Sequence, residues 1–141
     1  MATDTAPVSP PSRQDPRQVV NTLKKRVNFN DAGIASGIAF DNSLPMGAVI
    51  LTVLVEIITA FNAGATNVLT VGTNSATYNN LVAAGDVDET AVATTRVDRG
   101  IGGSICRSAE KTPYIAYAQT GGAATTGVAE VTISYEGGFS T

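Results

Sequence analysis

The chain has 141 residues, 43% of them hydrophobic and 15% charged, with a formal net charge of -3, no histidine, no tryptophan and a single cysteine, Cys106. That length supports one core of ordinary size, and a second domain is not expected. Without histidine the usual general base, the Ser-His-Asp arrangement and every histidine-containing metal site are gone, and one cysteine allows neither an internal disulfide nor a thiolate metal centre. The composition therefore predicts no enzyme, no bound metal and no cofactor.

Charge divides the chain. Residues 1–26 carry Arg13, Arg17, Lys24, Lys25 and Arg26 against Asp4 and Asp15, a net +3, while the remainder carries four basic and ten acidic side chains, a net -6. A basic leader precedes an acidic body. Residues 1–25, with Pro7, Pro10 and Pro11 among small polar residues, read as an extended basic arm, and residues 26–141 as the body. The arm has no aromatic side chain for stacking on bases, so nucleic acid is not an expected partner. Nor does it combine a basic stretch, an apolar stretch and a cleavage site, so no signal peptide is expected. Asp15 and Pro16 suit a helix start, and Val19, Val20 and Leu23 would share one face of a short helix ending near Arg26. So short a helix needs a partner surface.

Beyond Arg26 the period changes to two, in a chain rich in Val, Ile, Thr and Gly. Short strands are expected at Val27 to Asn30 and Ile38 to Phe40. The longest is Ala48 to Thr59, where Val49, Leu51, Val53, Val55 and Ile57 fall on the face expected to be core. Ile50, Leu54 and Ile58 share the other face with Thr52 and Glu56. That second face is too apolar to be fully wet, which predicts contact with another layer or subunit. The apolar run from Met46 to Ile58 is 13 residues, short of the roughly 20 that cross a bilayer as a helix, so no membrane partner is expected. Further strands are expected at Asn67 to Val71, Ala91 to Val97, Ile101 to Cys106 and Pro113 to Gln119. In the final strand Ala129, Val131, Ile133 and Tyr135 alternate with Glu130, Thr132, Ser134 and Glu136. Tyr78 to Ala84 could make one helical turn. Turn residues separate the strands, and seven or eight such units predict an all-β fold, a β-sandwich with jelly-roll topology.

Few residues invite chemistry. Asp86, Asp88 and Glu89 form the only dense acidic cluster, and although Ca²⁺ takes such oxygens, the spaced ligand pattern of a calcium loop is missing, so a solvated turn is the expectation. Gly100 to Ser104 lacks the lysine and helix of a phosphate loop. Gly121 to Gly127 reads as a hairpin loop before the last strand, and both glycine runs are candidates for close approach to a neighbouring subunit. Cys106 reads as a small buried residue.

Several segments carry a resemblance: Arg26 to Gly33 (RVNFNDAG), Ser43 to Ala48 (SLPMGA), Thr59 to Gly72 (TAFNAGATNVLTVG) and Ala83 to Asp88 (AAGDVD). Through them the chain, over roughly residues 26–137, resembles small structural proteins of tailed bacteriophages that decorate or cement a capsid. The resemblance implies a rigid sandwich repeated on the virion surface after synthesis in the host cytoplasm. It further implies binding to the major capsid protein across neighbouring capsomers, as a homo-oligomer with a trimer favoured and with no small-molecule substrate. The residues expected to meet partners are Arg13, Arg17, Val19, Val20, Leu23, Lys24, Lys25, Arg26, Ile50, Leu54 and Ile58. The alternative is a tail, fibre or head-tail-junction component contacting a host surface, for which only Tyr78, Tyr114, Tyr117 and Tyr135 offer aromatic platforms. Of these, Tyr117 and Tyr135 fall on buried faces by alternation.

Overall fold

The computed structural model describes residues 20–98 and 105–137. All regular structure within them is β, in two antiparallel sheets. The larger sheet has the order β1-β7-β3-β5, with β1 at Val20–Asn28, β3 at Ala48–Thr59, β5 at Ala93–Val97 and β7 at Val128–Gly137. The smaller has the order β2-β6-β4, with β2 at Ile38–Ala39, β4 at Thr66–Gly72 and β6 at Tyr114–Thr120. Along the described strands the chain alternates between the sheets at every connection.

The expected helix ending near Arg26 is not formed over its described part: residues 20–28 are strand β1, paired with β7 from Val20↔Glu136 to Asn28↔Val128. The reason is tertiary. Spacing by three and four puts Val20 and Leu23 on one helical face, but spacing by two puts Leu23 and Val27 together over the core, where both are buried. A ladder along a ten-residue partner strand outweighs the marginal stability of a short helix. The expected turn of helix after Tyr78 is absent as well; Leu81 and Val82 instead fold back on β4, with Val82 bridging Val71.

The core lies between the sheets. Leu23, Val27, Val53, Val55, Ile57, Ala129, Val131 and Ile133 enter from the larger sheet, and Leu69, Val71, Ile115 and Tyr117 from the smaller. Leu44, Phe61, Leu81, Val82 and Cys106 close the ends, all essentially without solvent contact. Each such aliphatic or aromatic side chain contributes on the order of 1.5–3 kcal/mol by leaving water.

The pairing of β3 with β7 shifts register twice, and the first shift breaks the expected two-face pattern. Ala48 and Ile50 are buried, Val49 and Leu51 are exposed, and from Val53 the odd residues turn inward. The pairing with β7 skips one residue between Ile50↔Tyr135 and Thr52↔Ser134, leaving Leu51 as the extra residue of a bulge. A one-residue insertion in a strand of period two exchanges its faces. Val49 and Leu51, expected in the core, are therefore outside, and Ile50, expected at a partner surface, is inside.

The segment 121–127 is not a hairpin loop, because β6 and β7 belong to different sheets. It crosses from one layer to the other, and its glycines admit close approach within the chain. A Cβ on Gly127, where φ is +150°, would collide with the Phe61 ring, and one on Gly64 would lie 2.6 Å from the Gly122 nitrogen.

Candidate interaction surface

Alternation gives the larger sheet an outer face, and the pairing registers place its residues in rows. Val20, Glu136 and Val49 form one row, and Thr22, Ser134 and Thr52 the next. Lys24, Thr132, Leu54 and Arg96 follow, then Arg26, Glu130, Glu56 and Thr94. This face carries Val20, Lys24, Arg26 and Leu54 of the residues that the sequence marked for partners, together with Val49 and Leu51, which the sequence placed in the core.

Its apolar end is built by Val20, Val49 and Leu51, which are 54%, 42% and 39% exposed. Val92, 69% exposed, stands outside the start of β5. Leu54, opposite Thr132, is half-buried on this side, and Ile58, also half-buried, is the extra residue of a second bulge between Ile57↔Ala129 and Thr59↔Val128. Val49 and Leu51 escaped the sequence reading because Val49, Ile50 and Leu51 are all apolar, and such a run gives no sign of where the phase changes. Nearby, Thr52 Oγ1 is buried without a hydrogen-bond partner among the described residues.

Its charged end is built around Glu130. Lys24 Nζ lies 3.4 Å from Glu130 Oε1 and Arg26 Nε 3.7 Å from Oε2, so two cations of β1 share one carboxylate. Glu56 sits directly across from Glu130 on β3, a like-charge pair that those cations offset. Such exposed pairs contribute about 0–1 kcal/mol each. Lys25 points the other way and meets Asp41 at 3.0 Å. Of the remaining expected contact residues, Leu23 and Ile50 are core, while Arg13, Arg17 and Val19 lie outside the described residues.

The acidic cluster is dispersed by the fold. Asp86 Oδ2 accepts the Ala83 N–H at 2.9 Å, and Asp88 Oδ1 accepts both the N–H and the hydroxyl of Thr90, hydrogen bonds that lower its pKa. Glu89 turns inward, is buried, and accepts the Leu69 N–H at 2.7 Å. Burial raises the Glu89 pKa, against the lowering effect of that hydrogen bond. The three carboxylates thus serve a turn, a turn and a loop anchor, and no group of three potential metal ligands occurs among the described residues.

The tyrosines offer little open ring surface. Tyr78 and Tyr114 stack on each other with centroids 4.4 Å apart, and Tyr117 is buried against Phe61 with its hydroxyl donating to Asn67 at 2.6 Å. Gly100 to Ser104 lies outside the described residues. Cys106 is fully buried, and burial raises its thiol pKa.

No protein-family model matches the chain, and no curated protein matches it in sequence. Solved structures do match. One is a chain of the cyanophage Pam1 capsid asymmetric unit, with a TM-score of 0.60 and 22% identity over 96% of this chain and 97% of that one. The fold is one found in phage capsids. A chain in the acidic stable capsid structure of Helicobacter pylori bacteriophage KHP30 matches with a TM-score of 0.59 and 16% identity, covering 85% and 89% of the two chains. A chain in the capsid of Ralstonia phage GP4 matches with a TM-score of 0.58 and 18% identity, covering 97% and 93%. Coverage is nearly complete in both directions, so each match is between whole chains of similar size and not to a fragment of a much larger one.

Proposed function

We propose that this chain is a structural protein of a tailed-phage virion that decorates or cements the capsid, binding across neighbouring shell subunits. The observation that carries the reading is the whole-chain match to small chains of three phage capsids. The strand order supports the jelly-roll form of the sandwich, with an eighth strand reduced to the Val71–Val82 bridge beside β4. The outer face of the larger sheet supplies the contact surface, through Val20, Val49, Leu51 and Leu54 with Lys24 and Arg26 beside them. The basic arm of residues 1–25 reaches along a neighbour, and the subunits associate as a symmetric oligomer, a trimer being the favoured form.

Such a protein acts by mass action. A ligand that binds only the assembled shell stabilises it by about 2.7 kcal/mol per site at a concentration a hundred times its dissociation constant. Repeated over many sites, that raises the temperature or internal pressure the shell withstands. The test is to add purified protein to shells lacking it and count bound copies by electron microscopy. Occupancy across the whole shell, with a higher melting temperature of the particles, is the expected result. Density confined to one vertex or to the tail would overturn it.

A further inference from the structure

Among the described residues strand β1 forms one edge of the larger sheet, with β7 as its one neighbouring strand. Its phase follows from one bond at its end: Phe29 N–H donates to Gly127 O at 2.9 Å. Counting back by twos, Asn21, Leu23, Lys25 and Val27 turn their backbone groups to β7, and Val20, Thr22, Lys24, Arg26 and Asn28 turn theirs to the open edge. At Asn28 this edge is closed by the chain itself, since its N–H donates to Asp31 Oδ2 at 2.8 Å and its carbonyl accepts the Asp31 N–H at 3.2 Å. No described strand pairs with the edge-facing backbone groups of Val20, Thr22, Lys24 and Arg26.

The residues whose backbone faces the edge also carry the outer-face side chains. A strand added there would place its own side chains directly opposite Thr22, Lys24 and Arg26, at about 4.5–5.5 Å between Cβ atoms. Lys24 and Arg26 share the single carboxylate of Glu130, one strand further in, so the edge itself presents positive charge. An open groove of about 640 Å³ runs along the start of β1, lined by Val20 to Leu23 with Asn42, Ser43, Pro45 and Tyr135. It has room for the alternate side chains of the same strand. A second copy of β1 fits badly, because antiparallel pairing about Lys24 would set lysine against lysine and an edge cation against its own kind.

We propose that the β1 edge from Val20 to Arg26 is a strand-addition site for an extended segment of another protein, with carboxylates at two alternate positions facing Lys24 and Arg26. Backbone hydrogen bonds supply the affinity and the two cations set the register. This deepens the capsid-binding reading only in taking a shell protein as the bearer of the segment; the edge chemistry stands without it.

Two measurements decide it. First, the free full-length protein is titrated with a ten-residue peptide alternating threonine and glutamate, and with its threonine–lysine counterpart, while amide hydrogen exchange is followed. The glutamate peptide should slow the Thr22, Lys24 and Arg26 amides at least tenfold and the lysine peptide should not, with the preference reversed in K24E/R26E. Equal slowing by both peptides, or none, overturns the proposal. So does prior protection of those amides that disappears on deleting residues 1–19, which would make the chain's own arm the occupant. Second, the same amides are read in shell-bound protein. Slowed exchange there, and at least tenfold weaker shell binding by Thr22→Pro with an unchanged melting temperature, is the expected result, because that N–H faces away from β7. Shell binding with these amides exchanging as in the free protein would overturn the edge site while leaving the proposed function intact. Failure to bind shells would strike the proposed function, and the peptide titration would still decide the edge.

Discussion

The two sheets of the sandwich are finished differently. The smaller is sealed by its own chain: the segment after β4 returns to pair Val82 with Val71, Asn74 Oδ1 accepts the N–H groups of Asn79 and Asn80 at 2.9 and 3.1 Å, and Tyr78 stacks on Tyr114. Among the described residues the larger is left open, with no strand beyond β1, exposed Val20, Val49 and Leu51, and charges in mixed rows. Both sheets supply the same core, so stability does not require the difference. Covering polar backbone and apolar surface on one side while leaving both exposed on the other is the arrangement that the proposed shell-binding role requires.

The comparison breaks most severely where the layers meet. Gly127→Ala should destabilise the fold by about 3 kcal/mol or more in chemical denaturation, because the new methyl meets the Phe61 ring and the φ of +150° disfavours any side chain. A smaller effect distinguishes neighbours on β3. Ile50→Ala should cost about 2–3 kcal/mol, whereas Val49→Asp and Leu51→Asp should each stay within about 0.5 kcal/mol while weakening any contact made through the outer face. If Leu51→Asp proved as costly as Ile50→Ala, the bulge would be misplaced.

Glu89 tests the sealed side. Glu89→Ala should cost about 1–3 kcal/mol by leaving the Leu69 N–H without its acceptor. Glu89→Gln keeps an acceptor and removes the buried charge. Because the folded-state pKa of Glu89 lies above its ordinary value of 4.5, its stabilising contribution is full below that value and is lost as pH rises through the folded pKa. Unfolding curves of wild type and Glu89→Gln should therefore diverge from about pH 4.5 upward, the variant gaining relative to wild type, and then run parallel. Lys24→Gln should also have a small effect on stability, less than about 1 kcal/mol, since that ammonium is largely solvated beside Glu130.

Much of this was legible in the sequence, for definite reasons. The final strand alternates cleanly, so Ala129, Val131 and Ile133 were placed inward and Glu130, Thr132 and Ser134 outward, as the structure has them. The strands at 66–72, 93–97 and 114–120 fell within a few residues of the expected segments. The candidate surface was only half legible. Lys24, Arg26, Val20 and Leu54 do reach the outer face of the larger sheet. Leu23 and Ile50 do not, because the helix phase assumed for one and the unbroken strand phase assumed for the other were both wrong. Val49 and Leu51 were missed for the same reason.

The sequence by itself determined the all-β character, the absence of histidine chemistry and the spacing of strands by turns, since composition, residue type and period-two alternation are local properties. Only the tertiary structure decided that residues 20–28 are a strand and not a helix, that the faces of β3 exchange at Leu51, and that the glycine-rich segment 121–127 crosses between sheets. Each of those outcomes depends on a partner far away in sequence: β7 for the first two, and Phe61 with Gly64 for the third. Alternation tells which residues of a strand share a face, but not which strand it pairs with or where a bulge shifts its phase, because the ladder is made by backbone atoms that are the same in every residue.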